Sequence, residues 1–188
     1  MVECFIIFLY TIMKQLFVNI IKFLIFASFF SPLVMQRDFY FPFIVPKTLY
    51  LQVLIAVSFL FYSLLLLLDR KYLPKFDMLD KLLLVFYGIC VVASFFGANP
   101  TKSFFGSYER MLGIVNYTHY LILYFVARAV FITKQDWIWL FRVFVIAGFL
   151  VNLYGVGQQL AIPGLYNTGT SRIDATIGNA AFVAGYDI

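Results

Sequence analysis

The sequence predicts an all-α, polytopic membrane protein with about five complete transmembrane helices and the start of a sixth, and three observations carry that expectation. Of 188 residues, 63% are hydrophobic and 12% charged, where a soluble domain carries about 25% charged residues. Aromatic residues reach 21%, with 24 Phe and 13 Tyr; a lipid-facing surface tolerates this load because acyl chains do not penalise exposed apolar rings. The apolar residues also fall in long runs between short polar breaks. A helix needs about 20 such residues to cross a hydrocarbon core about 30 Å thick, because it rises about 1.5 Å per residue and must satisfy its backbone polar groups internally.

The first expected helix covers residues 16–35 and tolerates Lys22 near its start, since a long side chain can snorkel to the interface. The second covers 48–68 and ends at Asp69, Arg70 and Lys71. The third, 79–96, stops where Gly97 and Pro100 break the helix. The fourth covers 113–131, and the fifth covers 137–160 and is closed by Pro163 and Gly164. A sixth apolar segment begins near Thr176 and reaches Ile188 before it is long enough to span. The chain is therefore expected to be a single membrane-embedded domain over 1–188, and an incomplete one. At the other end, the run CFIIFLYTI before Met13 is too short to span by itself, and a true start at Met13 is expected. No small-x-small cleavage site precedes a polar mature sequence, so the first helix is expected to be retained.

The net charge of +5 does not point to nucleic acid, because the 14 Lys and Arg are scattered singly between apolar runs rather than gathered into a basic stripe. They read as topology signals. Lys14, Lys22, Arg70, Lys71, Lys75, Lys81, Arg128, Lys134 and Arg142 fall on one side, and Arg37, Lys47, Lys102, Arg110 and Arg172 on the other. Cytoplasmic loops retain positive charge, so this count predicts a cytoplasmic N-terminus and outward loops at FYFPFIVPK, GANPTKSFFGSYERMLG and IPGLYNTGTSRIDA. Cys4 and Cys90 lie in apolar runs without a CxxC spacing and read as small membrane-buried residues.

Two residues stand out as candidates for chemistry. Arg110 and Arg172 each lie in an outward loop near glycines, where topology does not require a charge, and a guanidinium offers planar paired donors that match a phosphate. Both are expected to bind a diphosphate at the membrane surface; the competing reading is a pair of headgroup anchors. The SFFGS run near Lys102 matches no phosphate-loop pattern and reads as a turn, and Glu109 reads as a solvated interface charge. His119, the one histidine, cannot build a metal site by itself and reads as a packing residue. No metal or other cofactor is expected. Gly148, Asn152, Gly155 and Gln159 share one face of the fifth helix, expected to pack against another helix or to line a polar cavity.

Together, several segments resemble the O-antigen ligase and polymerase family of bacterial membrane glycosyltransferases. FFSPLV followed by FYFPFIVPK looks like the family's first helix and outer loop, and ASFFGANPTKSFFGSYERMLGI is similar to its pattern of Asn-Pro, then Ser, an aromatic, Gly and Arg-x-x-Gly. SRIDATIGNAAFVAGY looks like the segment in which an arginine precedes Thr-x-Gly-Asn and a new helix, with Ala180 where the family often has proline. The resemblance covers about residues 30–186. It implies transfer of a glycan from a polyprenyl-diphosphate carrier to an acceptor hydroxyl at the outer face of the bacterial inner membrane. Arg110 and Arg172 would hold the diphosphate and stabilise the charge that grows on it. The family's large outward loop, with its histidine, lies beyond the sixth helix, so no catalytic residue is assigned in this chain. A transporter or flippase fragment, or a non-catalytic membrane subunit, is the alternative; a transporter would call for charges at mid-membrane depth and broken helices.

Overall fold

The computed structural model describes residues 2–166 and 172–187, with side chains described for 6–166 and 172–186. The expectation for Cys4 therefore lies outside the described side chains. Among the described residues every regular element is helical. The order is α1 (Val2–Ser28), α2 (Val45–Leu68), α3 (Met78–Phe95), a short α4 (Pro100–Phe105), α5 (Ile114–Val130), α6 (Lys134–Gln159) and α7 (Ala180–Asp187).

Four of these helices are long and apolar enough to cross a membrane: α1 from Ile6, α2, α3 and α6. A helical membrane protein is supported, but the expected five complete spans and a sixth are not all met. The helix at the fourth expected position, α5, is 17 residues long, about 25 Å at 1.5 Å per residue, and carries Asn116, Thr118, His119 and Arg128. The segment expected from Thr176 becomes helical only at Ala180. Before it, Ala175 (φ 45°) and Gly178 (φ 82°) turn the chain in the left-handed region.

The largest boundary error is in α1, which begins at Val2 rather than at residue 16 and ends at Ser28 rather than at 35. No Gly or Pro interrupts residues 5–16, so the hydrogen-bond ladder runs through Lys14. That ammonium is accommodated by Asp69, 2.8 Å away. At the other end, Phe29 and Phe30 close the helix with tighter bonds to the carbonyls of Phe26 and Ala27, and Pro32, which has no N–H to donate, opens a single 3-10 turn at Ser31–Leu33. Helix α6 starts at Lys134, three residues before the expected 137, because Thr133 and Asp136 form a capping box. The SFFGS region was read as a turn, yet Pro100–Phe105 is helical: the Asn99 side chain caps it and Pro100 sits where no N–H is required.

The chain divides into two compact units. The first comprises Met1–Ile25 and Gln52–Ile132. There α2 buries Ile55, Ser58, Tyr62 and Leu65, one face of the helix at spacings of three and four. Next to it, α3 and α5 are fastened by a charged clasp. Asp77 and Asp80 form the α3 capping box, and Arg128 of α5 donates to Asp80, to Asp77 at 2.7 Å and to the Lys75 carbonyl at 3.3 Å. The Tyr124 hydroxyl adds a bond of 2.8 Å to Asp80, which is 1% exposed. A carboxylate so buried persists only when charge and hydrogen bonds compensate its lost hydration.

The second unit comprises Phe26–Leu51 and Thr133–Ile188. Its core gathers Val151, Ala175 and Val183, flanked by Leu33, Ile177 and Tyr186. The inward face of α6 is Ala147, Val151, Gly155 and Gln158, whereas Asn152 and Gln159 are exposed. The face expected from Gly148, Asn152, Gly155 and Gln159 is thus turned by roughly a quarter of a revolution at 3.6 residues per turn. The inward side is fixed at Gln158, whose amide meets the buried Asp174 at 2.7 Å.

The clasp predicts a pH-dependent stability. The Asp80 backbone N–H, and then the Arg128 guanidinium, hold the Asp77 carboxyl below its usual range. A carboxylate whose folded value is depressed contributes stability above its unfolded value of about 4 and loses it as pH falls through the folded value. Thermal unfolding in detergent should therefore show a falling midpoint as pH is lowered below about 4, and this dependence should flatten in Asp77→Asn. Arg128→Met, which leaves Asp80 buried without its cation, should lower the midpoint by several degrees at pH 7.

Candidate functional site

In the first unit, Arg110 stands on the loop between α4 and α5, and that loop is locked by backbone contact. Gly106 has φ 79° and approaches Gly113 so closely that a Cβ on Gly113 would lie 2.4 Å from the Gly106 nitrogen and 2.2 Å from the Phe104 carbonyl oxygen. Both positions therefore require glycine. Between them Ser107–Arg110 makes a turn: the Arg110 N–H donates to the Ser107 carbonyl at 3.1 Å and to its hydroxyl at 3.3 Å. Met111 follows at φ 50°. The Arg110 side chain is exposed, and among the described residues no ion pair holds it; Glu109, its neighbour, does not pair with it.

Two recesses adjoin this loop. A groove of about 720 Å³ runs between α3 and α5 from Ser103 and Leu112 to Tyr124. Its walls are apolar, relieved by the hydroxyls of Ser94, Ser103 and several tyrosines, of which Tyr87 shares a hydrogen bond of 2.6 Å with Thr118 behind it on α5. Leu112, two residues beyond Arg110, lies at one end of it. A smaller cleft of about 340 Å³ lies between the loop, the start of α5 and Gln52 of α2. His119 lines neither recess; its Nδ1–H donates to the Val115 carbonyl at 2.7 Å, one turn back, as a packing residue would.

In the second unit, Arg172 is exposed and leads into a tightly held segment. Asp174, 2% exposed, accepts from the Gln158 amide at 2.7 Å, and the Gln158 carbonyl accepts from the Ala175 N–H at 2.8 Å. The same amide donates to the Tyr166 carbonyl at 2.7 Å, while the Tyr154 hydroxyl accepts from the Tyr166 N–H at 2.9 Å. Lys47 donates to the Thr176 carbonyl. Gly178 lies flat against the Phe43 ring, where an added Cβ would come within 2.3 Å. Arg37 lies over the Tyr166 ring at 5.2 Å and donates to the Gly164 carbonyl at 2.8 Å. Thus residues 36–47 are fastened to residues 160–166 and 172–179, and these to α6, with Arg172 exposed.

The sequence singles out both arginines as candidates but does not show what surrounds them. The helical stripe through Gln159 does not include Gln158, although Val151, Tyr154 and Gln158 share a helical face and Asp174, two residues after Arg172, is a partner for it. Gln52 was also passed over, and with it the amide pair it makes with Asn116 at 3.4 Å. Comparison of the chain with protein-family models, with curated proteins and with solved structures gives no match.

The loop geometry yields a direct test. Gly113→Val should displace the Arg110 turn and destabilise the protein, whereas Gly88→Ala, where an added Cβ meets nothing within 4 Å, should leave it unchanged. Limited proteolysis at Arg110 in micelles should accelerate in the first variant only. In the second unit, Gln158→Leu removes two partners of buried groups and should lower the thermal midpoint, while Gln159→Leu should not.

Proposed function

We propose that the chain is the N-terminal part of an O-antigen-ligase-like glycosyltransferase, which moves a glycan from a polyprenyl-diphosphate carrier to an acceptor hydroxyl at the outer face of the bacterial inner membrane. The observation that carries this reading is an exposed guanidinium on a glycine-locked turn, next to one end of an apolar groove between α3 and α5. A lipid-linked donor asks for that pairing, a fixed cation for its diphosphate and an apolar channel for its isoprenoid tail. Leaving-group departure builds negative charge on the diphosphate. A guanidinium held in place beforehand stabilises that charge without reorganising, and its paired N–H groups match two phosphate oxygens at once. Arg172, presented by the Asp174–Gln158 assembly, is assigned the same task in the second unit.

In this reading α5 is a fifth span, short because its ends meet polar loops, and α7 begins a sixth. The N-terminus is cytoplasmic, which puts the loops bearing Arg110 and Arg172 on the face where the carrier presents its glycan.

Reporter fusions after Lys75 and Lys134 should read cytoplasmic, and those after Pro100 and Gly169 external; the reverse would place both arginines on the wrong side for the donor. In the full-length parent protein, Arg110→Ala and Arg172→Ala should each lower glycan transfer by roughly a hundredfold or more at matched membrane levels, as loss of a transition-state donor does. Lys replacements should also impair transfer, because an ammonium lacks the planar fork. Lys102→Ala should be near normal. Near-normal transfer in both Arg→Ala variants would leave the arginines as headgroup anchors.

A further inference from the structure

We propose that the recess at the start of α2, with Lys47 in its wall, is a binding site for the headgroup phosphate of an anionic phospholipid. It lies within the second unit, has a volume of about 500 Å³, and is lined by Ser31, Pro32 and Lys47 on one side and by Ile177, Phe182 and Gly185 among others on the other. Pockets that hold small molecules begin near ~300 Å³. The site stands whether or not the chain transfers a glycan, since it uses neither Arg110 nor Arg172.

An ammonium withdrawn from water requires compensation by an opposite charge or by hydrogen bonds. The half-buried Lys47 has little of either. It donates to the Thr176 carbonyl, and the centre of the Phe43 ring is 6.0 Å away, at the outer limit of a cation–π contact. An ammonium carries three donors, and among the described residues no carboxylate pairs with this one, whereas Lys14 and Arg128 each meet an aspartate. Thr176 repeats the deficit: it is 2% exposed, and its hydroxyl has no partner among the described residues. Both groups ask for an acceptor that the protein does not supply.

Charge and position select the occupant. Lys47 is the one charged group among the described lining residues, which matches the single negative charge of a phosphodiester. A diphosphate would find no second cation there, and a zwitterionic headgroup would bring its own cation beside Lys47. The membrane-spanning segment of α2 begins at Val45, so Lys47 stands at the interface, where lipid phosphates lie and anionic lipids attract basic side chains. Pro32, Ile177 and Phe182 give the recess apolar walls, suited to the acyl end of a lipid and unsuited to a hydrated free phosphate. Ser31 offers a hydroxyl to a phosphate oxygen.

Native mass spectrometry tests the site on the whole chain, released from a neutral detergent after incubation with phosphatidylglycerol or with phosphatidylcholine of the same acyl chains. Phosphatidylglycerol should be retained several-fold more than phosphatidylcholine. Lys47→Gln should bring the two to one level, and Lys102→Gln, at another interface position, should not. Because Lys47 also holds the Thr176 carbonyl, a second variant keeps the test valid if the first unfolds. Gly185→Leu, at a position where an added Cβ meets nothing within 4 Å, partly fills the recess and leaves Lys47 in place; it should lower phosphatidylglycerol retention several-fold with helix content unchanged by circular dichroism. Equal retention of the two phospholipids by the wild-type chain would overturn the site, as would phosphatidylglycerol retention unchanged in Gly185→Leu or in a folded Lys47→Gln. A polyprenyl monophosphate retained more tightly than phosphatidylglycerol and lost in Gly185→Leu, or displacement of phosphatidylglycerol by inorganic phosphate, would overturn the phospholipid as its occupant.

Discussion

The fold rests on one constraint: within hydrocarbon, a polar group must find its partner inside the protein, because an unsatisfied one costs several kcal/mol. Several buried polar side chains meet this requirement. Asp80 is compensated by Arg128 and Tyr124, and Asp174 by Gln158. The hydroxyl of Ser58 bonds back to a carbonyl of its own helix one turn away, as does that of the half-buried Ser94. Even Lys14, in the middle of a long helix, is admitted because Asp69 closes the neighbouring helix at the same level. These pairings, more than the apolar contacts that any lipid could imitate, decide which faces of the helices meet.

This constraint also explains what was legible in the sequence. The lengths of α2 and α3 follow from apolar runs bounded by Asp69 and by Gly97 and Pro100, and both were located to within three residues. The ends of α1 were not, because apolarity by itself marks where a segment can be buried, whereas helix ends are set by hydrogen-bond closure. The Thr133–Asp136 capping box and the Asn99 cap were written in the sequence as side chains three residues ahead of their partners. They went unread because the hydropathy signal dominated.

The rotation of the α6 face has the same origin. Gly148, Asn152, Gly155 and Gln159 form a valid helical stripe, but periodicity cannot say which of two adjacent glutamines has a partner to meet. That information lies in Asp174 and in the Tyr166 backbone, beyond the end of α6, where the chain turns at Ala161 and Gly164. The candidate site was legible in the opposite way. Arg110 and Arg172 stand out as candidates by their placement in glycine-bearing loops, while the clefts beside Arg110 depend on how α2, α3 and α5 pack, which no local pattern encodes.

Partnership separates the cations more sharply than topology does. Counted by side of the membrane, Arg128, Lys14, Lys47, Arg37 and Arg110 are all orientation signals of equal weight. Considered by what they touch, Arg128 and Lys14 neutralise carboxylates, and Lys47 and Arg37 hold backbone carbonyls of the second unit. Each has a donor engaged in keeping the fold. Arg110 differs: its backbone N–H is fixed by Ser107, its loop is closed by two glycines that admit no other residue, and its side chain is exposed. In the proposed function this rigidity would hold the guanidinium in place before charge develops on a ligand, whereas headgroup anchoring asks for no such loop.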